Sequence, residues 1–148
     1  MFRVFIPARY ASRRLPGKPL LPIAGRPMIQ HVYERAVASG AAGVVVVTDD
    51  ERIGETVTGF GGEVRMTGAH HRSGTERIAE AVDALSIDPS EVVVNLQGDE
   101  PLIPPSVIDE LVLAMHQRPE AQMGTVAVPI PDDGPEFHDP NVVKVVLD

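Results

Sequence analysis

The stretch VVVVTDD, residues 44–50, decides the fold class. Four consecutive β-branched residues with no polar alternation describe a strand buried on both faces, and the run ends abruptly in carboxylates. The same signature recurs on either side. FRVFIPA, residues 2–8, is a short apolar run ended by Pro7, and EVVVNLQGDEP, residues 91–101, is a Val-rich run that passes straight into a polar loop. Helical patterns lie between these strands. GRPMIQHVYERAVASG, residues 25–40, sets Met28, Ile29, Val32, Ala36 and Val37 on one face, with Pro27 in the first turn and Gly40 as the stop. A segment with Ile53 and Val57 forms the next helix, ending at GFGG, residues 59–62, which reads as flexible; the short strand EVRMT, residues 63–67, follows. Ile78, Ala79, Val82 and Leu85 then line a helix capped by Ser73 or Thr75. Pro104 and Pro105 start a further helix with the apolar stripe Val107, Ile108, Leu111, Val112 and Met115. Two more strands are expected over GTVAVPI, residues 124–130, and NVVKVVLD, residues 141–148.

Strands alternating with helices, and strands that are continuous Val-rich runs, give an α/β fold: a doubly wound, mostly parallel sheet with helices on both faces. Residues 1–148 read as one domain, without internal repeats or low-complexity tracts. The final apolar run has no turn or cap after it, so the domain is expected to continue beyond it.

Composition narrows the chemistry. A 43% hydrophobic content and a mean hydropathy of +0.01 fit a soluble globular domain. With no cysteine, the chain has no thiol nucleophile and no thiolate metal site, so a metal must use oxygen or imidazole ligands, and a hard cation such as Mg2+ fits best. The N-terminal apolar run is too short for a signal peptide and nothing is long enough to span a bilayer, which points to the cytoplasm. A formal net charge of -8 and only six aromatic residues argue against a nucleic-acid partner.

Against that acidic total, the first 33 residues carry six basic side chains and no acidic one: Arg3, Arg9, Arg13, Arg14, Lys18 and Arg26. The remaining chain carries only seven basic residues among all 21 carboxylates. Concentrated cations in a Gly- and Pro-rich loop read as a site for a small polyanion, against the plainer reading of a solvated basic loop. The loop matches neither the GxxxxGK[ST] nor the GxGxxG phosphate motif, so its grip would combine side-chain charges with backbone N–H groups.

Ligands of open parallel sheets bind beyond the carboxyl ends of the strands. Four polar clusters lie there: residues 7–18, Asp49 with Asp50, HHRSGTER at 70–77, and QGDEP at 97–101. Asp99, with Glu100 beside it, is placed to hold Mg2+ or, alternatively, to make a turn and cap the next helix. Asp49 and Asp50, just before a helix, read more readily as ordinary helix caps than as ligand residues. His70 and His71 are adjacent, so in an extended segment they point to opposite sides and make a poor two-ligand metal site; they read as surface residues, with His70 the one nearer a ligand. Ser73, Gly74 and Thr75 offer N–H groups and hydroxyls at a helix start, where capping explains them as well. Arg77 sits against the helix dipole in the first turn, which points to an anionic partner or to Glu76 or Glu80 as neighbours.

Taken together, IPARYASRRLPGKPL, TDDERI, HRSGTERIAEA, VVNLQGDEPLIP and AVPI with NVVKVVLD resemble, in order and spacing, the cytidylyltransferases that activate 3-deoxy-D-manno-octulosonate (Kdo), the CMP-Kdo synthetases. The resemblance covers nearly the whole chain. PARYxSxRLPGKPL and NLQGDEP are its specific parts. It implies a Rossmann-like nucleotidyltransferase fold and the transfer of CMP from CTP to the anomeric hydroxyl of Kdo, with pyrophosphate released, Mg2+ required, and the product supplied to lipopolysaccharide assembly. It implies that Arg9, Arg14 and Lys18 handle the triphosphate, and that Pro7, Ala8, Ser73, Gly74 and Thr75 surround the nucleotide with Arg72 and Arg77 nearby. Asp99 would ligate Mg2+, Gln97 would face the sugar acid, and Asp49 would lie near the base or ribose. Family members continue well past residue 148, where a second metal-binding Asp, most sugar-binding residues and much of a homodimer interface lie, so this chain is the nucleotide-binding part. A CMP-sialic acid synthetase, an enzyme for amino-substituted Kdo, and a non-catalytic nucleotide-binding module are the rival readings.

Overall fold

The computed structural model describes residues 1–11, 15–131, 134–140 and 142–145. Arg13 and Arg14 of the basic loop lie outside the described residues. The Val-rich runs form a four-stranded sheet: β1 (Phe2–Pro7), β4 (Gly43–Thr48), β5 (Glu63–Met66) and β6 (Val92–Asn95), in spatial order β5-β4-β1-β6. Every pairing is parallel, with Val4 opposite Val44 and Val94, and Val46 opposite Val64. The central strands β1 and β4 bury Val4, Phe5, Ile6, Val45, Val46 and Val47 almost completely, which is why their sequences show no polar alternation.

Helices cover both faces. Ile29, Val32 and Ala36 of α1 (Met28–Val37), Ile53 and Val57 of α2 (Glu51–Gly59), and Ile108 and Val112 of α4 (Pro105–Gln117) share one cluster with Val4, Ile6 and Val46. On the opposite face Ile78 and Ala81 of α3 (Gly74–Ala84) pack against Phe5, Val45 and Val47. The alternation of inward residues along β1 thus splits the core in two. No helix among the described residues is long and apolar enough to cross a membrane.

Several local expectations are corrected. Pro27 is the cap of α1 and not its first turn, because Arg26–Pro27 (β3) pairs antiparallel with Pro22–Ile23 (β2). The two residues between them, Ala24 and Gly25, have φ of 49° and 81°, as the left-handed turns of tight hairpins require. Val37 is exposed, as is Ala79, whose place in the α3 core is taken by Ala81. Residues 59–62 close α2 with an ordered turn in which Gly62 N donates to the Val57 carbonyl at 2.9 Å. No strand forms over 124–130: Val126 and Val128 are exposed and no ladder partner lies beside them among the described residues, and a strand without one leaves its backbone unpaired. The expected strand over 141–148 falls partly outside the described residues; 142–145 form none, and a short helix, α5 (Pro135–His138), precedes them.

Candidate active site

Three chain segments converge beyond the carboxyl end of β1. Pro7 is the meeting point. A Cβ on Gly74, at the start of α3, would stand 2.9 Å from Pro7 Cγ, and one on Gly98, in the loop after β6, would stand 3.0 Å from the Pro7 carbonyl oxygen. Two glycines therefore let the α3 start and the β6 loop close onto the end of β1. The resulting cavity, about 200 Å³, is lined by Pro7, Ala8, Arg9, Lys18, Gly74, Gln97 and Asp99 among others.

Lys18 reaches this cavity because the basic loop folds back on itself. Gly17 N donates to the Tyr10 carbonyl at 2.8 Å, with Gly17 at φ 70° and the Tyr10 ring so close that a Cβ there would stand 3.0 Å from it. The Arg52 guanidinium lies 3.3 Å from the Tyr10 ring centroid, which clamps the loop to α2. Lys18 Nζ then donates to Asp99 Oδ2 at 2.7 Å. Both side chains are well exposed, so the pair adds only about 0–1 kcal/mol to stability and remains open to exchange with a ligand.

A second cavity, about 280 Å³, lies on the far side of Arg9 and is lined by Arg9, Tyr10, Asp49, Asp50, Arg52, His71 and Arg77 among others. Arg77 is 1% exposed. Its Nη2 forms an ion pair with Asp49 Oδ1 at 3.1 Å, while Nη1 donates to the Thr67 hydroxyl and, at 3.4 Å, to the Gly68 carbonyl. The anionic partner foreseen for Arg77 is therefore Asp49, and not Glu76 or Glu80. Glu80 instead accepts from His71 Nε2 and from Gly68 N, and these bonds, the His71 one first, hold its carboxyl below the ordinary range. Asp50 caps α2 by accepting from Arg52 N, and the Arg52 side-chain bond first, with the cap bond adding to it, holds its carboxyl below the ordinary range.

Arg9 is shared by both cavities. Its Nη1 donates to the Arg72 carbonyl at 3.1 Å, whereas Nη2 is buried with no hydrogen-bond partner among the described residues. A buried guanidinium nitrogen without an acceptor is costly, and an anion in the cavity would satisfy it.

Of the residues singled out in the sequence, Pro7, Ala8, Arg9, Lys18, Gly74, Gln97 and Asp99 line the first cavity, and Asp49 and Arg77 the second. Ser73 is the α3 cap, accepting from Glu76 N, and Arg72 contributes its backbone carbonyl; neither side chain lines a cavity. Thr75 is exposed and lines neither. Arg14 lies outside the described residues. Gln97 Nε2 donates to Asn95 Oδ1, and its amide oxygen has no donor among the described residues. Tyr10 and Arg52 also line the second cavity, and neither was singled out from the sequence. Tyr10 and Arg52 are far apart in the chain, and no local pattern announces their stacking.

The histidine pair also departs from expectation. The segment turns instead of extending, so the two rings stack with centroids 4.3 Å apart, and it is His71, not His70, that lines a cavity.

Comparison with known proteins agrees with this architecture. The cytidylyltransferase family model matches residues 3–148. The 3-deoxy-manno-octulosonate cytidylyltransferases of Pseudoalteromonas atlantica and Idiomarina loihiensis are 56% and 58% identical to it over 147 residues, 99% of the chain. The chain spans 58% of the length of each of these relatives. A solved CMP:2-keto-3-deoxy-manno-octonic acid synthetase complexed with CTP is 48% identical, with a TM-score of 0.75 over 80% of this chain and 49% of that one. The parallel sheet is thus the Rossmann-like nucleotidyltransferase fold, and the chain belongs to the cytidylyltransferase family.

Proposed function

We propose that this chain is the CTP-binding part of a 3-deoxy-manno-octulosonate cytidylyltransferase, which transfers CMP from CTP to the anomeric hydroxyl of Kdo and releases pyrophosphate. The observation that carries the reading is Arg9, which lines both cavities and whose buried Nη2 has no partner among the described residues. A nucleoside triphosphate has the right form for such a wall: a base and ribose on one side and phosphates on the other.

In this arrangement Arg9 and Lys18 take the phosphates, and the N–H groups at the start of α3 add the positive end of a helix dipole. Each cation about 4 Å from a phosphate charge gives roughly 4 kcal/mol of gross attraction at an effective dielectric near 20. That attraction holds the β- and γ-phosphates as they leave. Asp99 keeps Lys18 pointed into the cavity before CTP arrives. Gln97 presents its amide oxygen to the sugar acid, and Asp49, fixed by Arg77, faces the base or ribose. Arg72, Ser73 and Thr75 shape the α3 start around the nucleotide, and Arg14 adds a further cation to the triphosphate. The half-exposed Asp99 carboxylate is a hard oxygen donor that fits Mg2+ and would hold it. When bound, Mg2+ supplies neutralisation of phosphate charge. The whole protein on this reading is a cytoplasmic homodimer serving lipopolysaccharide assembly, and the 58% coverage of its relatives supports the view that further sugar-binding residues lie in the length they have and this chain does not.

Calorimetric titration with CTP in Mg2+, against UTP and ATP, tests the reading. The expected result is saturable, CTP-selective binding that weakens about tenfold or more in Arg9→Met. Equal binding of all three nucleotides, or an unchanged affinity in Arg9→Met, overturns it.

A further inference from the structure

At the edge of the larger cavity, one cluster carries metal-ligating chemistry that the transferase reading leaves unused. His70, His71 and Glu80 each offer a ligand atom, and these atoms lie within 4.8 Å of one another. We infer that these three side chains form a binding site for a borderline divalent cation, Zn2+ or a chemically similar ion such as Co2+, separate from the Mg2+ position at Asp99.

The cluster is built by the turn at residues 67–72 and the facing side of α3. Gly68 is its floor. A Cβ on Gly68 would stand 2.4 Å from His70 Cε1 and 3.4 Å from Glu80 Oε2, so only a glycine lets the His70 ring and the Glu80 carboxylate approach the same point. The Gly68 N–H also donates to both Glu80 oxygens, at 3.2 and 3.1 Å, and so fixes the carboxylate plane. Metal sites orient their ligands through hydrogen bonds of this kind. His71 presents Nε2 to Glu80 from a side chain only 10% exposed, while His70 stacks on it from the exposed side.

The donor set selects the ion. Two imidazole nitrogens and one carboxylate oxygen suit Zn2+ and its neighbours and suit Mg2+ poorly. Three protein ligands leave a position open for water or a ligand anion, as in zinc sites that are not closed. Tetrahedral bonds of about 2.0–2.2 Å put donors roughly 3.3 Å apart, so the widest pair must close by somewhat more than an ångström. The exposed His70 and the partly exposed Glu80 have the freedom to do so, with His71 as the fixed ligand. Because His71 also lines the larger cavity, the ion would sit at its edge.

The test is a Zn2+ titration of this chain, with Co2+ absorption as a second readout, in excess Mg2+ so that carboxylate-only sites are occupied. One saturable Zn2+ site is expected, with intense visible Co2+ bands that Zn2+ removes. His70→Ala and Glu80→Gln should each weaken binding about tenfold or more, since each removes one of three protein ligands. His31→Ala, at a histidine bonded to the Ile23 carbonyl elsewhere on the surface, should leave it unchanged. His70 is exposed, so its variant should fold, as circular dichroism will check. Absence of saturable Zn2+ binding, or equal affinity in wild type, His70→Ala and Glu80→Gln, overturns the inference. None of these outcomes depends on whether CTP binds.

Discussion

Removing the Asp49 carboxylate should destabilise the protein far more than its place in a loop suggests. The perturbation is Asp49→Ala. Arg77 is 1% exposed, and Asp49 is the only carboxylate paired with it among the described residues. Deleting one member of a buried ion pair leaves the other as an uncompensated charge and typically costs about 3–5 kcal/mol. Asp49 keeps 24% of its side-chain surface in contact with solvent, which moves the expectation to the low end, about 3 kcal/mol. The Thr67 hydroxyl and Gly68 carbonyl remain as acceptors for Nη1, but Nε already lacks a partner, and Nη2 would join it. For a domain of this size about 3 kcal/mol lowers Tm by roughly 6–12 °C.

Urea denaturation and calorimetry on nucleotide-free protein measure this directly. Asp49→Asn should lose less than the alanine variant, because its amide oxygen still accepts from Nη2 while the charge is gone. The double variant Asp49→Ala, Arg77→Met separates charge from packing. It removes both partners, so it should be more stable than the sum of the two single losses by about 2 kcal/mol. A loss below about 1 kcal/mol in Asp49→Ala, or a coupling energy near zero, would refute the argument that Arg77 is a buried charge held by this carboxylate.

Other outcomes follow from single contacts. In Gly98→Ala the new methyl meets the Pro7 carbonyl oxygen at 3.0 Å, a backbone atom with little room to move; a loss of about 1–3 kcal/mol in urea and weaker CTP binding are expected, and wild-type behaviour in both would contradict the convergence on Pro7. Asp50 has a lowered pKa in the folded state, so its contribution is present above the ordinary carboxylate range and disappears as pH falls through the folded value. Stability measured from about pH 5 down to about pH 2 should therefore decline less steeply in Asp50→Asn, whereas parallel curves would count against the Arg52 bond as the cause. In Asp99→Asn, the gain in CTP affinity that Mg2+ gives over chelator should be smaller than in wild type; an equal gain in both would place the ion elsewhere.

The parallel sheet was legible because its evidence is local. Val44 to Val47 and Val4 to Ile6 are continuous apolar runs, and only a strand covered on both faces hides such a run completely. The helix stripe from Val107 to Met115 was legible for the same reason at a different period. Where local signals conflicted with pairing, pairing won. The 124–130 segment has the apolar residues of a strand, yet Val126 and Val128 stay exposed because a strand exists only where another backbone accepts its hydrogen bonds. The β2–β3 hairpin was hidden by Ala24, which adopts the φ of 49° that Asn or Gly would have announced.

The site divides along the same line. Motif residues such as Arg9, Lys18 and Asp99 could be named from the chain, but what brings them to one cavity is a set of contacts without a pattern. Tyr10 is held between Gly17 and Arg52, and that clamp sets where Lys18 can reach. Gly74 and Gly98 lie far apart in sequence and owe their size to one proline ring and one carbonyl at the end of β1. Pro7 lacks an N–H, ends the strand, and leaves its ring and carbonyl to be packed against from two sides. A side chain on either glycine would push its segment away and separate Asp99 or the α3 start from Arg9. The geometry of the cavity therefore rests on residues that carry no charge, which is why charge and motif could single out Arg9, Lys18 and Asp99 while leaving the arrangement that brings them together unread.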